Sequence, residues 1–600
     1  MSDGNDMAKL SYEIQFNGQS HSKGLIGISV NTAINKIPKA RLEFNFNQFI
    51  SDKCGNKNYS ITPANAFDSG EENKEISFTP GTEIIISIGW EEERQQVFKG
   101  LITKHQLVVK NDGSQILTLE CKHIANKMTL ATKTRMLHQD VGTGSNGDEV
   151  NRVDDDSILI HLVENSDTDL TLNIQDQPLF SFDHENMIQY NCSDWDFLVM
   201  RAEATSRVCV VSGDEIILLH PKIDKPTEFK IATGDNLMEY AAELDETLIF
   251  PEVTIHSWEI DEQDMQEVSE SAVNLLPDAH TVREEAFLNY PADLSVNESR
   301  AWVKNLIDRK ALAKVRSTAK LKGTNGIAIG QTISLSEFAR GWNKDAFVSG
   351  IKHVIVKGSW YTYVQFGLTD KKHAEIYNIA GKVSEPIMPA IPGLHYGKAV
   401  DYKKSEGGHE LLEVEMSTGN ESATKQTLYA RLSTFSAGSN GGAIFRPYPG
   451  DEVVIGFIGN DPRFPIVLGV LYNSQDESPI ALKNNEQLET GLCINDWKIL
   501  INEESQSMDI ASPEGQLFKI DDQNKSIQMI HDNQNAISIN QKGITLESSK
   551  VVIKGSQGVE ISGANITGKA DSEMKLESGL TLSLEGKVSA KLKGQITQIN

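Results

Sequence analysis

Cysteine is scarce. Five residues, Cys54, Cys121, Cys192, Cys209 and Cys493, are scattered through 600 positions, odd in number and never as C-x-x-C. That pattern excludes a disulfide framework and the paired ligands of a structural zinc site, and it suits folding in a reducing compartment. No apolar run approaches the ~18–20 consecutive residues of a membrane-spanning helix. Met1-Ser2-Asp3-Gly4-Asn5-Asp6 has no basic segment leading into an apolar one, so no signal peptide is expected. Positive charge is short as well: 57 Lys and Arg face 84 Asp and Glu, a formal net charge of −27. Binding a phosphate backbone depends on Lys and Arg displacing counterions. A nucleic-acid partner is therefore not expected, nor a resting place on anionic lipid. The acidity favours solubility and control of self-association.

A catalytic, cofactor-binding or metal-binding constellation is missing too. Cys121-Lys122-His123 puts a thiol and an imidazole on one face of a strand, but no third group orients them, and a packed cysteine is expected. Asp154-Asp155-Asp156 lacks the spaced acids and the glycine of a calcium loop and reads as a solvated turn. Gly563-Ala564-Asn565-Ile566-Thr567-Gly568-Lys569-Ala570 comes near a phosphate-binding loop. Ala570 stands where a hydroxyl must hold magnesium, and no strand before or helix after frames it. Asn58, Asn191, Asn297, Asn420 and Asn565 open Asn-x-Ser/Thr triplets, read as chance without a secretory leader. No catalytic, cofactor or metal residue is assigned, and the chain is expected not to be an enzyme.

What is present is mostly strand. Six hundred residues imply several cores, and alternation marks Glu83–Ile88, Gln115–Glu120 and Glu215–His220. Two helices announce themselves by capping boxes. Ser193 with Asp196 precedes Trp195, Leu198, Val199 and Ala202 on one face. Ser295 with Glu298 precedes Val303, Ile307, Ala311 and Val315, spaced by four. Pro386, Pro389 and Pro392 suit an extended linker. From Leu394 to Asn473 a compact β segment follows, the size of an OB-fold barrel.

The last hundred residues change character, and aromatic residues stop at Phe518. Ile553-Lys554-Gly555 returns eight residues on as Ile561-Ser562-Gly563. Leu576-Glu577-Ser578, Leu584-Glu585-Gly586 and Leu592-Lys593-Gly594 keep the same spacing. Such a period marks a repeat architecture, with glycine at the turns and Ile or Leu pointing inward. A ribbon so thin cannot bury its apolar face alone. Winding around two further copies would make a triangular prism; a single-chain solenoid or a loose tail is the alternative.

Two stretches resemble the VgrG family of type VI secretion spikes. Gln189-Tyr190-Asn191-Cys192-Ser193-Asp194-Trp195-Asp196-Phe197-Leu198 is similar to the family's Q-Y-x-E-S-D-W-x-F-L helix, departing at Asn191-Cys192. Pro449-Gly450-Asp451-Glu452-Val453-Val454-Ile455-Gly456-Phe457, continuing through Asn460-Asp461-Pro462-Arg463-Phe464-Pro465 to Gly469 and Tyr472-Asn473, resembles the signature at the end of the family's OB-fold. Here Gly450-Asp451 and Asn460-Asp461-Pro462 supply turn chemistry, and Gly469 allows close packing near a barrel rim.

The resemblance covers essentially the whole chain. It implies a mainly β protein with short helices: a phage tail hub-like region of two or more β-barrel-like subdomains over 1–375, a linker over 376–393, an OB-fold over 394–475, and a connector with a triple-stranded β-helix, formed in a homotrimer, over 476–600. It implies a non-catalytic puncturing spike, assembled in the bacterial cytoplasm and then secreted or injected. The implied partners are an Hcp-like tube protein, a PAAR-like tip protein, baseplate proteins and secreted effectors. Valine–glycine pairs are scarce in the tail, so a type VI system, an extracellular injection particle and a phage-like tail stay open. Some spikes carry a cell-wall hydrolase after the OB-fold. Between Asn473 and the strand expected near Asp496 there are only about two dozen residues, too few for such a domain. The last histidine is His531, and no cysteine follows Cys493. The apex is therefore expected to need a separate tip protein.

Overall fold

The computed structural model describes residues 9–46, 78–138, 152–245, 247, 250–259, 264–271, 286–290, 294–339, 342–379, 388–405, 408–416, 427–438, 441–473, 477–480, 489–531 and 535–598. The chain divides into two compact units, Met1–Asp476 and Glu477–Asn600.

The first unit is organised by a 13-stranded sheet. Its path runs from Leu237–Leu244 through Val315–Lys322, Ser359–Phe366, Lys344–Val356, Leu25–Ala33, Lys36–Asn45, Gln115–Lys122, Glu93–Val109 and Glu83–Trp90 to Leu10–Phe16 and Gln19–Ser20. Lys344–Val356 pairs antiparallel with Leu25–Ala33, so segments more than 300 residues apart share one sheet. Two cores lie beneath it. One gathers Ile14, Ile28, Leu42, Phe44, Ile86 and Leu119, the other Leu321, Ile333, Leu335, Val348, Val364 and Phe366. Alternation explains the strands: Ile84, Ile86 and Ile88 are buried, and Ala40, Leu42 and Phe44 point inward while Lys39 and Arg41 point out.

The described helices include, in chain order, α1 (Asp155–Glu164), α2 (Asp194–Ala204), α3 (Val296–Ala313) and the short α4 (His373–Tyr377). Both expected capping residues stand at helix starts. Ser193 Oγ accepts from the Asp196 N–H at 3.1 Å and donates to Asp196 Oδ2 at 2.6 Å. Ser295 Oγ accepts from the Glu298 N–H at 3.1 Å. Two details differ from the sequence reading. Helix α2 is buried on nearly all sides rather than one, because α1, α3 and α4 pack around it. Helix α3 ends at Ala313, and Val315 opens the next strand.

A closed barrel completes the unit, in the order His395–Lys404, Glu410–Met416, Thr427–Leu432, Pro465–Leu471, Glu452–Phe457. Its core holds Leu412, Val414, Leu428, Val453, Ile455 and Val467. Gly450 has φ +103°, and Asp451 Oδ2 accepts from the Tyr448 N–H at 2.8 Å, which makes the expected turn. Gly469 has open space on its Cβ side, so close packing is not its role. The described end of the proline-rich segment is packed rather than solvated: Met388, Ala390 and Ile391 are buried, and the Ile391 N–H donates to the Asn460 carbonyl at 2.9 Å.

The second unit begins as a seven-stranded antiparallel meander, Glu489–Ile494, Trp497–Asn502, Ser507–Ala511, Leu517–Asp521, Ser526–His531, Asn535–Asn540 and Gly543–Glu547. Tight turns, with Asn495, Gln506 and Lys525 at positive φ, pair each strand with the next. Over 489–547 this local pairing stands where the sequence reading has connector and β-helix. Residues 548–598, which carry the octads, form neither helix nor strand and are exposed throughout.

Candidate functional site

One face of the meander is built around two apolar columns. Directly opposed residues share a face, so the pairing register builds columns across the sheet. One column runs Leu492, Ile499, Ile510, Phe518, Met529, Ile537, Leu546; the next runs Ile501, Met508, Ile520, Ile527, Ile539, Ile544. The opposite face carries Asp509, Lys519, Gln528, Ser538 and Thr545, with Lys519 3.6 Å from Asp509. Among the described residues much of the apolar side is uncovered: Ile501 is 48% exposed, Met529 51% and Ile544 70%. That face encloses a hollow of about 640 Å³, lined by Trp497, Phe518, Met529 and Val552 among others. An apolar face this large marks an interaction surface. The octad leucines continue the theme, with Leu584 70% exposed.

A second constellation ties the barrel to the helices of the first unit. Arg463, in the loop before strand Pro465–Leu471, reaches Asp461 Oδ2 at 2.8 Å through Nη2 and also binds Glu298 of α3. Tyr290 Oη donates to Asp461. His184 lies between Arg463 and Asp155, with Nδ1 3.4 Å from Arg463 Nη1 and Nε2 3.3 Å from Asp155 Oδ2. Arg201 of α2 clasps Asp155 with Nε at 2.6 Å and Nη2 at 2.8 Å. All of these side chains are buried. Burial pushes the Asp461 carboxyl up, but the Arg463 charge beside it wins and holds it below the usual range. Burial, and then Asp461, push the Tyr290 phenol well above its ordinary value. His138 adds a stitch: Nδ1 accepts from the Met187 N–H at 3.2 Å, and Nε2 lies 3.2 Å from the Thr427 carbonyl of the barrel. Burial pushes its pKa down to about 4. The network has the chemistry of a rigid joint.

The near-catalytic motifs resolve structurally. Cys121 is buried, with its thiol pushed up to about 12 by burial and then by Glu120. His123 Nδ1 accepts from the Ala125 N–H at 3.2 Å and caps a short 3-10 turn. Asp154-Asp155-Asp156 is no solvated turn. Asp154 caps α1, Asp155 is the buried partner of Arg201, and Asp156 binds Arg207. The turn reading failed because nothing local to the triplet reveals two arginines arriving from 201 and 207. The lookalike phosphate loop at 563–570 lies in the exposed tail. Among the described residues no group of three or more His, Cys, Asp or Glu could hold a metal ion, and no helix is long and apolar enough to cross a membrane. The sequence marks Asp461 only as a turn residue and Arg463 only as part of the barrel signature; the available signal is an acid and an arginine set between two apolar strands.

Comparison with known proteins fits this architecture. Residues 408–472 match the type VI secretion system/phage-baseplate injector OB domain. The type VI secretion system spike proteins VgrG1a and VgrG1c of Pseudomonas aeruginosa are 24% identical over 219 and 220 residues. The matched part is 34% of this chain and 34% and 30% of those proteins, so the chain spans about a third of the curated relatives it matches. A chain of a Francisella PdpA–VgrG complex shares the fold at TM-score 0.50 and 10% identity, over 90% of this chain and 81% of that one. Residues 6–357, more than half of the chain, match the Alg8 N-terminal domain. The barrel is similar to an injector OB domain and the chain is similar to VgrG spike proteins, and by the match over 6–357 the chain belongs to the Alg8 N-terminal domain family.

Proposed function

We propose that this protein is the puncturing spike of a contractile injection apparatus, and that it works as a homotrimer without catalysis of its own. The observation that carries the reading is the uncovered apolar face of the meander. Two unbroken apolar columns on a single sheet layer cannot remain in water. Three copies related by a three-fold axis would turn them inward as the three walls of a prism. The exposed octads at 548–598 would wind on in the same prism, as the triple-stranded β-helix. Residues 1–375 would form the hub, 394–475 the barrel and 476–600 the shaft. Such a shaft is stiff because its backbone hydrogen bonds run across all three walls, and penetration asks for stiffness rather than an active site.

In this reading the hub rests on an Hcp-like tube ring within a baseplate, and a PAAR-like protein caps the apex. The complex delivers effectors after assembly in the bacterial cytoplasm. The similar Francisella chain was solved in a PdpA–VgrG complex, which supports a spike that works in company. Light scattering on the purified chain tests the core of the proposal. Three 66.3 kDa chains should give about 199 kDa. A monomer at micromolar concentration would overturn it.

A further inference from the structure

One face of the 13-stranded sheet carries a row of lysines that no ion pair among the described residues neutralises. Lys352 stands opposite Asn31, Asn31 opposite Lys39, and Lys39 opposite Lys122. Opposed residues share a face, so the four side chains form one row across four strands, spanning about 14 Å at ~4.8 Å per strand. The neighbouring positions Val30, Ala40 and Cys121 fill the core on the other side. Lys352, Asn31 and Lys39 are exposed and Lys122 is half-buried.

Other cations on this face are already engaged. Arg41 lies 2.7 Å from Glu43, Lys104 3.9 Å from Glu120, and Arg316 3.4 Å from Glu243. Lys320 pairs with Glu239. Among the described residues no ion pair is formed by Lys352, Lys39 or Lys122. Lys39 and Lys122 are directly opposed like charges, an arrangement that costs stability. Both line a groove of about 430 Å³ with Lys36, Trp195 and Tyr377. The one carboxylate there, Asp196, is held by Ser193 Oγ at 2.6 Å and His373 Nε2 at 2.9 Å. In a chain of net charge −27, an uncompensated lysine pair beside a groove is local, not compositional.

We infer that this row docks an acidic segment of a partner protein. The spacing suits it. Carboxylates at i, i+4 and i+11 on a helix are separated by ~5–6 Å and then by ~10 Å, which matches Lys122 to Lys39 and Lys39 to Lys352. A nucleic acid fits less well. Three free cations displace only about three counterions, and the net charge repels an extended polyanion. The assignment rests on the sheet of the first unit and does not depend on three-fold assembly.

The test uses the full chain, a fluorescent peptide of ten glutamates, and a ten-nucleotide single strand as rival, read by anisotropy at low and high salt. The peptide is expected to bind saturably and more tightly than the oligonucleotide. Lys39→Glu should weaken it at least tenfold while the melting temperature stays level or rises, because the like-charge contact with Lys122 disappears. Lys222→Glu, an exposed control outside this row, should bind as the parent does. Should Lys39→Glu fold poorly, Lys352→Glu carries the same expectation. No peptide binding by the parent, equal binding by the Lys39 and Lys352 variants, or tighter binding of the oligonucleotide would each overturn the assignment. The last outcome would make the partner a nucleic acid.

Discussion

Arg463 and Asp461 form a buried ion pair, 2.8 Å between Nη2 and Oδ2, at the place where the barrel meets helix α3. The same guanidinium binds Glu298 of that helix. Removing the arginine strands two carboxylates in a dry setting, which costs roughly 3–5 kcal/mol. Arg463→Met is therefore expected to lower the thermal midpoint by many degrees. Arg463→Met combined with Asp461→Asn and Glu298→Gln should recover part of the loss. Scanning calorimetry on the three proteins checks both statements.

Acid should weaken the same joint before it reaches the carboxylates. Burial holds His138 of the joint down to about 4, and does the same to His353 on the sheet strand Lys344–Val356, against an unfolded value near 6.5. A depressed histidine favours the neutral folded form. Its contribution is intact above about pH 6.5 and is lost as the pH falls toward 4. The melting temperature should be level from pH 8 to 7 and fall steadily between 6.5 and 4. His138→Gln can still accept from the Met187 N–H and donate to the Thr427 carbonyl, so it should flatten part of that slope. An unchanged slope would show that His138 already titrates normally in the fold.

Charge placed on the apolar face of the meander should abolish assembly. Ile537→Asp sits mid-column, between Met529 and Leu546. Three-fold symmetry would bring three such carboxylates into one core, each costing several kcal/mol unless protonated. Gln528→Asp, on the opposite face, should leave the trimer intact. Sedimentation at micromolar concentration separates the two outcomes: a trimer from Ile537→Asp alone would mean the other face is the buried one, and trimers from both variants would mean that neither face drives assembly.

Leu584→Asp extends that test into the octads. In the isolated chain Leu584 is exposed, so the substitution should be harmless to a monomer. In a prism it would be severe. Melting behaviour identical to the parent in the assembled protein would show that the inward register of the repeat is wrong.

The purified protein is expected not to clear a cell-wall suspension faster than a boiled control. The buried thiol of Cys121 is held up to about 12 and cannot act as a nucleophile near neutrality, and His123 is occupied as a cap. Turbidity loss above the control would expose a hydrolase that this reading lacks.

Much of the architecture was legible because its signals are local. A Ser or Thr three residues before an acid announces a helix start, and Ser193 and Ser295 both stand there. Alternation announces strands, and Glu83–Trp90 and Gln115–Lys122 follow it. The OB-fold signature spans neighbouring strands and so marks the barrel in the sequence. The extent of α3 was overrun because Val315 keeps the four-residue spacing, yet the chain turns into a strand there. The glycine at 469 was given a packing role that its open surroundings do not support.

By itself the sequence determined strand periodicity, helix caps, the barrel and the repetitive tail, since each depends on residues within a few positions of one another. Tertiary structure alone decided that Asp155, His184, Arg201, Glu298, Asp461 and Arg463 meet, because their pairing energy appears only when segments 300 residues apart are packed and dry. Register decided the rest. Lys352, Lys39 and Lys122 become one row, and thirteen apolar residues become one face, only when each strand is fixed against its neighbour. A slip of one residue would send those side chains to the other side of the sheet.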